Sequence, residues 1–91
     1  MQHSNSQKAK IILQTIGQII RTERENLQKS QRIFADEFDI QKSMLSRIEN
    51  AVNEAKIISL FTISEALGIK LSDLIKKVED ELPQDFYLIE K

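Results

Sequence analysis

The side chains best suited to recognise another molecule lie on one face of a helix that the spacing predicts from residue 41 to about residue 49. Leu45 and Ile48 face inward there, which leaves five polar side chains outside: Gln41, Lys42, Ser43, Ser46 and Arg47. Their amide, hydroxyl and cationic groups form hydrogen bonds, and Gln and Lys in particular can pair with adenine and guanine. Periodicity alone, however, favours the ordinary interpretation, a helix face in contact with water.

Catalysis and metal binding require groups that this chain hardly contains. It has no Cys, and its one His, His3, stands in a polar segment, residues 1–7, that we expect to be a flexible N-terminus. No Gly-rich phosphate loop and no HExxH spacing occur in the sequence. The sequence therefore predicts a protein that is not an enzyme and that binds no metal and no cofactor.

A second short helix precedes the polar face. Phe34, Ala35 and Phe38 share one side of a helix that opens after Ser30, whose hydroxyl makes it a good N-cap. Asp39 then tolerates a left-handed backbone conformation, which allows a tight corner. Because Ala35 is small, the backbones of the two helices can approach closely at their crossing. This layout is a helix-turn-helix.

These residues resemble the Xre or phage-repressor (Cro/CI-type) family of helix-turn-helix DNA-binding domains. The match runs without a gap, and Asp39-Ile40 falls where the family usually has Gly-Val. The matching positions are Ser30-Gln31, Phe34-Ala35, Ser43, Leu45 to Asn50, Ser64 to Ile69 and Leu71 to Leu74. The resemblance covers about Ile16 to Ile75. It implies an all-α fold, a five-helix lambda-repressor-like DNA-binding domain with the helix-turn-helix at helices 2 and 3.

The resemblance also implies roles for the polar side chains in binding double-stranded DNA. Four of them are expected to face base edges in the major groove: Gln41, Lys42, Ser43 and Ser46. Three are expected to contact phosphates: Gln31, Arg47 and Asn50. For Arg47 an ion pair with a carboxylate such as Glu23 is an alternative. The expected function is sequence-specific transcription regulation, by a dimeric repressor that reads an inverted repeat.

The chain departs from the family pattern after the recognition helix. Residues 51–55 read Ala-Val-Asn-Glu-Ala, where the family often has Gly-Lys-Arg-Asn-Pro. Residues 1–50 hold eight Lys and Arg against six Asp and Glu, a balance of +2, whereas residues 51–91 hold five against eight, a balance of −3. Fewer phosphate contacts mean weaker binding, so we expect modest affinity per monomer and a need for a homodimer.

Apolar spacing predicts the remaining helices of a domain at residues 8–82. The first runs from Lys8 to about Asn26, although a capping box at Thr15 offers a competing start. The fourth helix has Asn53 as a plausible N-cap and Gly68 as a plausible C-cap. Five residues repeat at intervals of three and four along it: Ile57, Leu60, Phe61, Ser64 and Leu67. The fifth starts near Leu71 and ends before Pro83.

The end of the fifth helix and the C-terminal tail, residues 83–91, carry apolar surface that a domain of 91 residues cannot easily bury. A dimer contact is one interpretation, with five residues: Val78, Leu82, Phe86, Tyr87 and Leu88. The alternative is a tail that folds back onto its own domain.

The overall composition is that of an ordinary globular protein, with 41% hydrophobic and 30% charged residues. No apolar run approaches the roughly 20 residues of a membrane span, and no signal peptide is recognisable, so we expect a cytoplasmic location and no membrane contact. Two rival functions remain open. One is an antitoxin or restriction-controller type of regulator that acts with a protein partner, and the other is a protein-interaction module that has lost DNA binding.

Overall fold

The computed structural model describes residues 6–89, and the regular secondary structure in this range is helical. Five helices follow one another: α1 (Ser6–Asn26), α2 (Gln31–Glu37), α3 (Lys42–Glu49), α4 (Ile57–Leu67) and α5 (Leu71–Glu81). No strand occurs between residues 6 and 89, and the all-α, five-helix prediction is confirmed. Across the same range no helix has the length and apolar character of a membrane span. His3 lies outside the described residues.

α1 is one continuous helix that begins at Ser6, slightly before the predicted start at Lys8. The competing start at Thr15 is not used. Thr15 lies inside α1, where its hydroxyl donates to the Ile11 carbonyl oxygen at 2.8 Å instead of capping a helix. The apolar stripe of α1 includes Ile16 and Ile20, which are buried in the core. α1 therefore lies at the centre of the helix packing and contacts both α3 and α5.

The corner between α2 and α3 has the predicted construction. The Ser30 hydroxyl accepts a hydrogen bond from the Ile33 amide at 3.1 Å, and Asp39 has a φ of 56°. Ala35 is buried at the crossing, where its carbonyl oxygen accepts from the Ile40 amide at 2.8 Å. Phe38 differs from the prediction and is partly exposed, because the chain leaves the helical conformation at this residue.

α4 exposes part of the stripe that the sequence assigned to the core. Its buried residues are Leu60, Ile63, Ser64 and Leu67, whereas Ile57 and Phe61 face outward. Apolar residues occur on almost every side of this helix, so spacing alone could not select its inner face. The N-cap is Lys56 and not Asn53. Gly68, with a φ of 81°, ends the helix in the left-handed conformation as predicted.

α5 ends at Glu81, just before Pro83, as the sequence predicts. Val78 lies in the core with only 3% of its surface exposed, so its assignment to a dimer interface was wrong. Leu82 is half-buried against the same core. The Lys8 ammonium donates to the Tyr87 carbonyl oxygen at 2.8 Å, which brings the tail beside α1. This contact supports the fold-back alternative for the tail.

Gly17 marks the closest approach of α1 to α3. A Cβ atom at this position would lie 2.5 Å from the carbonyl oxygens of Ile48 and Glu49. Backbone atoms cannot move away as the end of a flexible side chain can. The sequence suggests only that this glycine weakens the helix, but the structure shows that its missing side chain allows α3 to dock.

Gly17→Ala is expected to lower the free energy of unfolding by about 1–3 kcal/mol or more, because overpacking outweighs the helix propensity of alanine. Urea denaturation followed by circular dichroism measures the change. The matched control is Gln14→Ala, at an exposed position of the same helix, where the alanine is expected to be neutral or slightly stabilising. Equal effects of the two substitutions would contradict the proposed close approach.

Candidate nucleic-acid interface

The outer side of α3 presents the predicted polar side chains to solvent. Lys42 and Ser43 are exposed in the first turn, and Ser46 is half-buried one turn later. Gln41 is the N-cap residue, and its side chain makes no capping hydrogen bond. On the inner side, Leu45 and Ile48 are buried. The amphipathic arrangement inferred from the sequence is therefore confirmed, and the outer side chains are exposed or half-buried.

Arg24 of α1 and Glu49 of α3 form a buried ion pair behind this surface. Arg24 Nε donates to Glu49 Oε2 at 2.8 Å, and Arg24 Nη2 donates to Oε1 at 2.9 Å. The Glu49 side chain is 0% exposed and the Arg24 side chain is 7% exposed. Two parallel hydrogen bonds of this kind combine strength with a defined geometry. The pair therefore holds the last turn of α3 against α1.

Two more donors surround the Glu49 carboxylate. Gln31 Nε2 donates to Oε1 at 2.9 Å, and Arg21 Nε lies 3.5 Å from the same oxygen. Burial raises the pKa of Glu49, but the hydrogen bonds from Arg24 and Gln31 and the charge of Arg24 outweigh it, so that the pKa lies below its ordinary value. The hydrogen bond to Glu49 also raises the pKa of Arg24. Glu49 is thus held as a carboxylate.

Gln31 therefore has a structural role that the sequence did not reveal. One N–H of its side-chain amide is committed to Glu49, which leaves the second N–H and the amide oxygen for other partners. A phosphate could accept that second hydrogen. The geometry is compatible with the predicted phosphate contact and links it to the buried ion pair.

Asn50 joins the end of α3 to α1. Arg21 Nη2 donates to Asn50 Oδ1 at 2.9 Å, and Asn50 Nδ2 lies 3.3 Å from Ser46 Oγ. The structure thus brings a predicted phosphate ligand, Asn50, into contact with a predicted base-reading residue, Ser46. Arg21 was not singled out in the sequence, because an arginine on a helix surface is common.

The alternative ion pair between Arg47 and Glu23 is not formed. Glu23 instead lies 3.5 Å from the Lys77 ammonium, while Arg47 is exposed and lines a groove between α3 and the start of α4 together with Lys56 and Ser59. Arg47 pairs with no carboxylate within residues 6–89. Its guanidinium is therefore available for a phosphate.

The sequence contains a signal for the buried ion pair, although the pattern of apolar residues alone did not reveal it. Arg24 follows Ile16 and Ile20 at intervals of four, so it continues the apolar stripe of α1. Glu49 follows Leu45 at the same interval on α3. A charged residue within a buried stripe requires a partner, and two such residues of opposite sign on two helices point to each other.

Ala51 has a left-handed backbone at the end of α3. Its φ is 57°, its side chain is buried, and its carbonyl oxygen accepts from the Lys10 ammonium at 3.0 Å. Val52 and Glu54 follow as exposed residues. This loop keeps a conformation that suits glycine, although it lacks the basic residues that often follow the recognition helix in the family that the sequence resembles.

An exposed polar helix, a tight corner and a preceding helix that supports it define the helix-turn-helix class of DNA-binding domains. Residues 20–74 match the helix-turn-helix family model HTH_3, and the chain belongs to this family. It is accordingly a DNA-binding transcriptional regulator and not an enzyme.

Two known proteins are similar to this chain. The control protein C.MunI from a Mycoplasma species is 36% identical over 58 residues, which cover 64% of this chain and 78% of that protein. The crystal structure of the clp gene regulator ClgR from C. glutamicum superposes with a TM-score of 0.70 at 19% sequence identity, and the match covers 81% of this chain and 96% of that one. The second similarity shows the fold and confirms the lambda-repressor-like architecture.

Glu49→Gln is expected to lower the free energy of unfolding by about 3 kcal/mol or more near pH 7, because the Arg24 guanidinium stays buried without a charged partner. Chemical denaturation measures this loss. As a control, the double variant Arg24→Met/Glu49→Leu removes both charges and is expected to regain part of the stability. A single variant as stable as the parent chain would show that the ion pair does not hold α3 in place.

The lowered pKa of Glu49 predicts a loss of stability in acid. Since the folded-state pKa lies below the ordinary value of 4.5, the contribution of this carboxylate is complete above that value and is lost as the pH falls through the folded-state pKa. Thermal unfolding between about pH 7 and about pH 2 is therefore expected to show a steeper acid loss in the parent chain than in Glu49→Gln. Parallel pH profiles of the parent chain and Glu49→Gln would show that the acid loss of stability does not come from Glu49.

Proposed function

We propose that this protein is a sequence-specific repressor that acts as a homodimer on an inverted repeat in double-stranded DNA. The observation that supports this most directly is the contrast between the two sides of α3. Its outer side carries exposed hydrogen-bonding groups, while its inner side is fastened by the buried pair of Arg24 and Glu49. A rigidly held polar helix can select among base sequences, because its donors and acceptors keep fixed positions.

The outer side chains divide into two groups by chemistry and position. Base edges are the partners of the residues in and around the first turn: Gln41, Lys42, Ser43 and Ser46. Phosphates are the partners of the residues at the margins of the motif: Gln31, Arg47 and Asn50. Phosphate contacts set the register on the duplex, and base contacts select the sequence.

An apolar patch on α4 offers a surface for a second copy of the chain. Ile57, Ile58 and Phe61 are exposed within two turns, and Ile58 is 69% exposed. The patch lies beside the groove formed by α3 and the start of α4. A dimer through this patch would use the same surface on both copies and be two-fold symmetric, which is the symmetry that an inverted repeat requires.

The tail provides a different candidate surface. Leu82, Phe86, Tyr87 and Leu88 remain the alternative dimer contact, or the site of a protein partner in a controller-type or antitoxin-type regulator. The similarity to a protein named as a control protein favours the controller type. Either version acts on DNA, so we propose a cytoplasmic location.

Selection from random duplex DNA tests the proposed function. Purified protein is incubated with the pool near physiological salt, where non-specific binding is weak, and the retained DNA is sequenced. We expect an inverted repeat with its half-sites about one helical turn apart. A folded protein that enriches no sequence would contradict the proposal and would favour the interaction-module function.

Lys42→Ala and Gln31→Ala are expected to have different effects in the same selection. Lys42→Ala should change the preferred base at one position of each half-site, with a loss of about 1–3 kcal/mol in discrimination if the contact is bidentate to guanine. Gln31→Ala should weaken binding to all sequences similarly, since phosphates carry no sequence information. Indistinguishable profiles of the two variants would refute this division of roles.

Ile58→Glu is expected to convert the proposed dimer into a monomer, because it places a charge at the most exposed residue of the apolar patch and leaves the core unchanged. Light scattering at micromolar concentration measures the mass, and DNA titration should show weaker binding. Tyr87→Glu is the matched control on the tail and should leave the dimer intact. The opposite pattern would assign the dimer contact to the tail, and a monomeric parent chain, both free and on DNA, would exclude a dimer.

A further inference from the structure

Arg21 connects α1 to the DNA-facing side of α3. Its Nε lies 3.5 Å from Glu49 Oε1, and its Nη2 donates to Asn50 Oδ1 at 2.9 Å. Glu49 and Asn50 are consecutive residues at the end of α3, so one guanidinium contacts both the buried ion pair and the exposed end of the helix. About a third of the Arg21 side chain remains exposed, 37%.

The guanidinium determines how the Asn50 amide is oriented. Arginine has donors only, so the group that Asn50 turns towards Arg21 must be its oxygen. The amide nitrogen then faces the other way, where it lies 3.3 Å from Ser46 Oγ. This orientation follows from the chemistry of arginine and does not depend on how the amide oxygen and nitrogen are distinguished.

The same logic extends to the Ser46 hydroxyl. The amide nitrogen of Asn50 has only hydrogens to offer, so Ser46 Oγ must accept from it, and the hydroxyl hydrogen points elsewhere. Thr15 and Thr62 donate their hydroxyl hydrogens to the carbonyl oxygens of Ile11 and Ile58, one turn back. Within residues 6–89 the Ser46 hydroxyl makes no such bond, and its hydrogen is available to an external acceptor.

We infer that Arg21 is a positioning residue that sets Ser46 as a hydrogen-bond donor towards DNA, acting through Asn50. The inference rests on the proposed function, since it assumes that Ser46 faces a base. A donor at Ser46 suits the major-groove acceptors, which are N7 and O6 of guanine, N7 of adenine and O4 of thymine. Because Asn50 occupies one of the two lone pairs of the Ser46 oxygen, the hydroxyl keeps less capacity to accept from the amino groups of cytosine and adenine. Arg21 thereby contributes to sequence selection without touching a base.

The test compares base preference with overall affinity. Ser46→Ala first identifies the base pair at which discrimination is lost, by selection and then by titration of duplexes that differ only there. The loss of one hydrogen bond is expected to reduce discrimination about two- to tenfold. Arg21→Met, which keeps an unbranched apolar stem and removes the guanidinium donors, should reduce discrimination at the same base pair to a similar extent.

Three further variants make this test specific. Arg21→Met combined with Ser46→Ala should lose no more discrimination than Ser46→Ala alone, because both act on one hydrogen bond. Arg21→Lys retains a charged donor and should keep most of the discrimination. Arg32→Met, at an exposed cation on α2, removes the same charge and should leave base preference unchanged.

Each outcome has a distinct meaning. Unchanged discrimination in Arg21→Met, with or without an equal loss of affinity for all duplexes, would overturn the inference, as would a discrimination lost at a different base pair. A parent chain that selects no sequence would instead refute the proposed function. Partial unfolding of a variant does not affect the result, because discrimination is the ratio of two affinities measured with one preparation.

Discussion

The orientation of the recognition helix depends on a buried ion pair between Arg24 and Glu49. Removing two charges from water is costly, and the cost is offset only while both groups stay in register. Sliding or rotating α3 against α1 would separate the charges and leave each one buried without a partner. The absence of a side chain at Gly17 brings the two backbones close enough for this contact. Together these features give α3 one position relative to α1.

Short loops with left-handed residues then position the neighbouring helices. Gln28, Asp39 and Ala51 have φ values of 60°, 56° and 57°, and each lies just beyond the end of a helix. Residues with a Cβ atom adopt this conformation at a cost of roughly 1–2 kcal/mol. Packing around α2 and α3 offsets that cost. Tertiary contacts therefore maintain the corner of the motif, although none of these three residues is a glycine.

The small size of the domain explains the distribution of its apolar residues. α1, α3 and α5 contribute one stripe each to a single core, and α4 has more apolar surface than that core can cover. The surplus on α4 is Ile57, Ile58 and Phe61, which lie exposed within five residues of the chain. Stability and the proposed assembly are thus connected, because the α4 residues that the core leaves exposed are the ones that the proposed dimer would bury.

The sequence by itself determined the number and order of the helices, the cap at Ser30, the corner at Asp39 and the outward face of α3. These features depend on local spacing and on the conformational preferences of single residues. Tertiary structure alone decided which face of α4 is buried, that Val78 belongs to the core, and that Gln31, Arg21 and Asn50 join Arg24 and Glu49 in one network. For Arg24 and Glu49 themselves, the sequence contains a hint, since both charges fall within apolar stripes. These tertiary contacts join residues distant in sequence, and a pattern along the chain does not specify which side chains meet across helices.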